Sequence, residues 1–364
     1  MDFTPLAERL GEQPLAALGA LIIGMGFGAF AQKSRFCLRA ATVDFSRGRV
    51  SARVAVWLLV FSTALFVTQL LGFFSLAPLE EARQLASPQS LTGAALGGLI
   101  FGSGMILARG CASRLLVLSA TGNLRALLSG LVFAVVAQAS LHGFLSPLRN
   151  AIAGTVTSNA VGGNDILEFT GISTAGAIVF SLIWLSAGLW FAWRNRTSIL
   201  IAITAVATGL MIPLAWWYTA QLSSIAFEPV NMTSLTFTGP SAKTLMHFLE
   251  ATELDFDVGL VPGVFLGSFL AAAVSGELKL QGWNGGHSMR RYIAGAAMMG
   301  FGGMLAGGCA VGAGVTGGSV FALTAWVTLG AMWLAAGLTD RMFDYGVEVG
   351  QVPAKDAGTE LVGA

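Results

Sequence analysis

Gly97-Gly-Leu-Ile-Phe-Gly-Ser-Gly-Met-Ile-Leu-Ala-Arg-Gly-Cys111 and Gly295-Ala-Ala-Met-Met-Gly-Phe-Gly-Gly-Met-Leu-Ala-Gly-Gly-Cys309 read as two copies of one element. One ends in Met-Ile-Leu-Ala-Arg-Gly-Cys and the other in Met-Leu-Ala-Gly-Gly-Cys. Both are apolar enough for a lipid environment, and both stop at Gly-Cys. A helix that stops inside a bilayer leaves backbone groups unpaired, which is tolerated only where protein buries them or a wet cavity meets them. A looser third copy, Gly24-Met-Gly-Phe-Gly-Ala-Phe-Ala-Gln-Lys-Ser-Arg-Phe-Cys37, carries Phe36 where the others have glycine.

The rest of the chain fits this reading. Of 364 residues, 55% are hydrophobic and 11% charged, with 47 glycines. Soluble domains carry about 25% charged residues, so too little polar surface exists here to cover a water-soluble particle. The mean hydropathy of +0.73 agrees. Small residues in such chains let helices approach closely. The fold class is therefore an all-α integral membrane protein. Apolar runs of spanning length predict about nine transmembrane helices: 15–31, 54–77, 92–108, 126–145, 173–193, 198–218, 258–275, 292–308 and 319–338. The stretches 112–123 and 310–318 are too short to span and read as re-entrant segments.

Charge distribution orients the set. Lys33, Arg35, Arg39, Arg47, Arg49 and Arg53 follow the first span, and Arg109, Arg114 and Arg125 follow the third. Basic loops mark the cytoplasmic side, whereas the alternate connections are acidic. The N-terminus is expected outside and the C-terminus inside. The third and eighth spans then run in opposite directions, so the repeated element forms an inverted pseudo-two-fold repeat. The repeat halves are 15–145 and 198–338, with 173–193 as connecting helix and 341–364 as a cytoplasmic tail in a single membrane domain. The fourth related element is expected at Gly209–Pro213, which lacks a cysteine.

Three scattered cysteines and three scattered histidines offer no metal-ligand spacing. No GxxxxGK[ST] is present, so no phosphate loop is expected. No cofactor and no nucleic-acid partner are expected either, and the lipid bilayer is the expected surrounding.

The three glycine-rich elements ending in Cys37, Cys111 and Cys309 resemble those of the YeeE/YedE sulfur-transport family over roughly 15–338. The resemblance implies uptake of thiosulfate across the bacterial inner membrane by a pseudo-symmetric fold, without enzymatic chemistry. It implies that Cys37, Cys111 and Cys309 line the path, and that a TusA-like sulfur carrier, if used, is a separate protein. The residues fit that chemistry. Thiosulfate has a soft terminal sulfur and three hard oxygens; a neutral thiol offers the soft end a weak donor and a polarizable partner. Arg109, Gly110 and Gly308 adjoin the thiols, and Lys33, Arg35, Arg39 and Arg114 would concentrate the anion at the mouth. Another sulfur or selenium species is an alternative cargo. A membrane thiol that takes up sulfane sulfur as a persulfide is an alternative function.

Overall fold

Glycine determines how closely these helices pack. In the computed structural model, which describes residues 4–226, 231–282 and 286–344, α1 (Glu12–Ser34) lies against α10 (Phe256–Val274). A Cβ placed on Gly259, Gly263 or Gly267 would stand 2.0–2.3 Å from a carbonyl oxygen of Ala17, Leu21 or Met25, and one on Gly28 would stand 2.2 Å from that of Val264. Only bare backbone permits this approach, which lets two helices exchange dispersion contacts along their length where lipid offers no hydrophobic drive. Likewise α4 (Leu91–Leu107) meets α11 (Gly286–Leu305) through Gly97 and Gly104 on one side and Gly295 and Gly302 on the other.

The remaining long helices are α3 (Ala52–Phe73), α6 (Leu124–Leu141), α7 (Thr174–Arg194), α8 (Ile199–Ser223) and α12 (Leu323–Phe343). Side-chain oxygens of Ser51, Ser90, Asn123, Ser173 and Asp255 accept backbone N–H groups at the starts of α3, α4, α6, α7 and α10, satisfying donors the helices cannot pair themselves. Among the shorter helices are α2 (Leu38–Ser46), α5 (Ala112–Ala120) and α9 (Thr238–Glu250), with a π-helical turn over Ala310–Thr316.

Neighbours recur in matched pairs. Helix α1 packs on α10 as α8 packs on α3; α4 packs on α12 as α11 packs on α6; α9 touches α6 as α2 touches α12. Exchanging α1 with α8, α2 with α9, α3 with α10, α4 with α11 and α6 with α12 reproduces these contacts, and α7 alone lacks a counterpart among the long helices. The turn before α6 is pinned by Leu124 N–H to Gln281 O (3.1 Å), and the turn before α12 by Leu323 N–H to Asn164 O (2.7 Å).

Among the described residues, eight segments are long and apolar enough to cross a membrane. The ninth expected span appears as α12, which is as long as the others, but its last turn holds Asp340 and Arg341 and lowers its apolar content. The expected re-entrant stretches follow directly on the long helices: Leu91–Ala120 and Met289–Ser319 each act as one broken span. Exposed Ile22, Val135, Ile183 and Val274 lie on the outer surface, an apolar exterior suited to lipid. The protein is a multi-pass, all-α membrane protein.

Candidate functional site: three helix breaks and their thiols

Each cysteine sits at the same kind of break. Helix α1 ends with Arg35 in the left-handed region (φ 55°), α4 with Arg109 (φ 56°) and α11 with Gly307 (φ 77°). Two residues later Cys37, Cys111 and Cys309 are extended and start the next helical segment. The left-handed residue turns the chain and lets the last carbonyls find partners, as in other helix C-termini. The following position differs in tolerance. A Cβ on Gly308 would stand 2.7 Å from the Ala313 nitrogen, whereas one on Gly110 would meet only Leu115 Cδ2 at 3.2 Å. At the first break the same position holds Phe36, whose ring is buried.

The breaks bring two thiols together. Cys37 and Cys111 are side-chain neighbours. Cys111 Sγ is also 3.5 Å from Ser113 Oγ. Cys309 stands elsewhere: its sulfur accepts the Gly312 N–H at 3.5 Å, with the Phe237 and Val311 N–H groups also directed at it. All three cysteines are free and buried.

Beside the pair lies Arg114, in the first turn of α5 and 5% exposed. Its electrostatic neighbours include Cys37, Cys111, Arg35 and Glu277, and among the described residues its Nε and Nη1 have no acceptor. A buried guanidinium without acceptors is costly, so this arrangement favours an anion in that place. A cavity of about 30 Å³ opens beside it, lined by Gln32, Arg35, Arg114, Thr121, Glu277 and Lys279 among others.

The other expected residues spread around this centre. Lys33 Nζ donates to Ser275 Oγ at 2.6 Å. Arg39 Nη2 lies 3.7 Å from Asp344 Oδ2. Arg109 is exposed, with Arg39 and Asp344 as electrostatic neighbours. Gly110 and Gly308 sit in the breaks. Among the described residues, no group of three or more His, Cys, Asp or Glu side chains gathers to hold a metal ion.

Four features escaped the sequence reading. Gln32 Nε2 donates to Glu277 Oε2 at 3.0 Å, joining α1 to the segment after α10. Arg47 Nε and Nη2 clasp Asp340 at 2.8 and 2.9 Å; a lone carboxylate in the last turn of an apolar helix was the available signal. No break lies at Gly209–Pro213, which is continuous helix with Pro213 inside α8; the next helical segment, α9, starts after Phe237. Buried Phe237 has its ring 5.3 Å from Phe27. Finally, Thr236 packs so closely on Gly312 that a Cβ there would stand 2.1 Å from Thr236 Oγ1.

The comparisons with known proteins agree with this architecture. A family model described as sulphur transport matches residues 33–338, covering all three breaks. A protein of Escherichia coli (strain K12) named thiosulfate transporter TsuA is 26% identical over 338 residues, spanning 86% of this chain and 90% of that protein. A protein of Spirochaeta thermophila with the same name is 28% identical over 326 residues, spanning 84% of this chain and 93% of its own. With that model matching most of its length, this chain belongs to the sulphur-transport family.

Proposed function

We propose that this chain carries thiosulfate across the bacterial inner membrane along a path through the helix breaks. Arg114 beside the Cys37–Cys111 pair carries the reading. Its unpaired donors suit the hard oxygens, and two polarizable sulfurs suit the soft terminal sulfur. Cys309, at the matched break of the other half, is the second station. Weak sites in series let an ion leave as readily as it enters. Gly110 and Gly308 keep the breaks open to it, while Arg109, Lys33, Arg35 and Arg39 draw it to one mouth.

In this reading the halves 15–145 and 198–338 are inverted copies, 173–193 connects them, the N-terminus faces the periplasm and the C-terminus the cytoplasm. The exchanged packing of α1 and α8, α3 and α10, and α4 and α11 supports the repeat. The shared name of the two relatives supports the cargo. A separate TusA-like carrier would receive sulfur on the cytoplasmic side. The protein acts without covalent chemistry.

The test is growth on thiosulfate as sole sulfur source in a strain lacking other uptake, with Cys37, Cys111 and Cys309 replaced singly by Ser. Loss of growth at normal membrane abundance supports the path. Full growth of every variant removes it. In a second reading the Cys111 thiol attacks the sulfane sulfur of thiosulfate, breaking its S–S bond to form a persulfide and release sulfite; a sulfur adduct trapped on Cys111 during turnover would establish that reading instead.

A further inference from the structure

Glycine is the residue that suits a left-handed helix end, and Gly307 supplies it at the third break. At the first two breaks the same backbone carries Arg35 and Arg109, at φ 55° and 56°. An L-residue is strained there, so the sequence keeps two guanidinium groups at positions where backbone preference argues for glycine. Arg35 borders the cavity beside Arg114. Arg109 belongs to a different cluster.

That cluster surrounds Asp344, just past the end of α12. Asp344 Oδ1 holds Arg291 Nη1 at 2.8 Å, a tight pair. Its Oδ2 stands 3.7 Å from Arg39 Nη2, a loose one, and has no hydrogen-bond donor among the described residues. Arg39 in turn has Cys37 beside it, Asp344 and Asp340 as attracting carboxylates, and Arg109 nearby and repelling it. The buried Nε atoms of Arg39 and Arg291, and Nη2 of Arg291, have no acceptor among the described residues. Asp340 adds little relief, because Arg47 already holds both its oxygens. Arg39 and Arg291 therefore share one carboxylate in a largely buried place, exposed Arg109 adds a third positive charge at its edge, and donors exceed acceptors. Such an excess favours a further oxyanion.

We propose that Arg39, Arg109 and Arg291 form a second binding site for a small oxyanion, distinct from the Cys37–Cys111 pair, and that the Asp344 carboxylate is its built-in competing ligand. Given the transport reading, the occupant is thiosulfate on its way out. Arg39 links the two places, since it faces Cys37 on one side and Asp344 on the other. The arriving anion takes the loosely held Arg39 from Asp344, while Arg291 keeps the carboxylate at hand. The carboxylate then returns to Arg39 and releases the anion. Without it, the cluster would hold a dianion too well for fast passage.

The test uses the purified full chain. Thermal stability in detergent is measured with and without thiosulfate, with chloride as control, for wild type, Asp344→Asn and Arg109→Gly. Uptake of radiolabelled thiosulfate is then measured in proteoliposomes. Removing the competitor is expected to enlarge the thiosulfate-dependent thermal shift of Asp344→Asn, and to lower both its KM and its maximal rate several-fold. Arg109→Gly is expected to melt at or above the wild-type temperature, since glycine suits that backbone, yet to lose both thermal shift and uptake. An unchanged KM and thermal shift in Asp344→Asn would make Asp344 a structural anchor and overturn the proposal. Wild-type binding and uptake in Arg109→Gly would overturn it equally. A wild type that binds thiosulfate but does not carry it would sink the transport reading and leave the site standing.

Discussion

Arg114 is held where a charge is hard to keep, and the reason differs from that for an ordinary ion pair. Burying a charge without hydrogen-bond acceptors is costly, so an apolar side chain of similar length in its place is expected to leave stability unchanged or raise it. Arg114→Met should therefore melt no lower than wild type. Its thiosulfate uptake should fall roughly ten- to hundred-fold, the equivalent of about 1.5–3 kcal/mol for hydrogen bonds to a charged group. Melting temperature and initial uptake rate, measured on one preparation, separate the two effects. A joint fall would mean that Arg114 is structural. At Asp344 the balance runs the other way. Burial pushes its carboxyl up, but the Arg291 hydrogen bond, aided by the charges of Arg291, Arg39 and Arg109, outweighs that and holds it below the usual carboxylate range. A depressed folded pKa means the pairs stabilise the fold above the unfolded value of about 3.9, and that this share is lost as pH falls through the lower folded value. The melting temperature of the wild type should thus drop more steeply in that acid range than that of Asp344→Asn. Parallel curves would show that these pairs add nothing.

The glycines of the paired helices differ in what they touch, so they should differ in what they tolerate. Gly259→Ala pushes a methyl to 2.0 Å from the Ala17 oxygen, and overpacking of this kind costs about 1–3 kcal/mol. Gly130, inside α6, has nothing within 4 Å, so Gly130→Ala should gain about 0.5–1 kcal/mol of helix stability. Thermal unfolding in detergent checks both signs. The same contrast holds at the breaks: Gly308→Ala should impair folding, and Gly110→Ala should be accepted. Much of this was legible in the sequence, because Gly-Cys at the end of a glycine-rich run marks a broken helix twice over. The start of α9 was not legible. Phe237 carries neither the cysteine nor the glycine that signals the breaks, and the packing of α9 on α6 and α10 reveals its place. The Cys37–Cys111 pairing was equally out of reach, since no spacing along the chain says that the first and second breaks meet while the third stands apart.

At the scale of the molecule, the contacts of the long helices recur under the exchange of α1 with α8, α3 with α10 and α4 with α11, and α7 packs on α3 outside it. Span positions followed from composition because lipid demands long apolar helices. The α12 end departed from that pattern because Asp340 and Asp344 are neutralised by Arg47, Arg39 and Arg291 from other elements. Such long-range pairing cannot be seen in a local window. The account as a whole rests on sulfur recognising sulfur beside a buried guanidinium. Proteoliposome uptake tests it most directly, comparing radiolabelled thiosulfate with sulfate in wild type and in a variant with all three cysteines changed to serine. The wild type should accumulate thiosulfate in clear preference to sulfate, and the variant should lose both the rate and the preference. Equal, undiminished thiosulfate uptake by the two proteins would contradict the account.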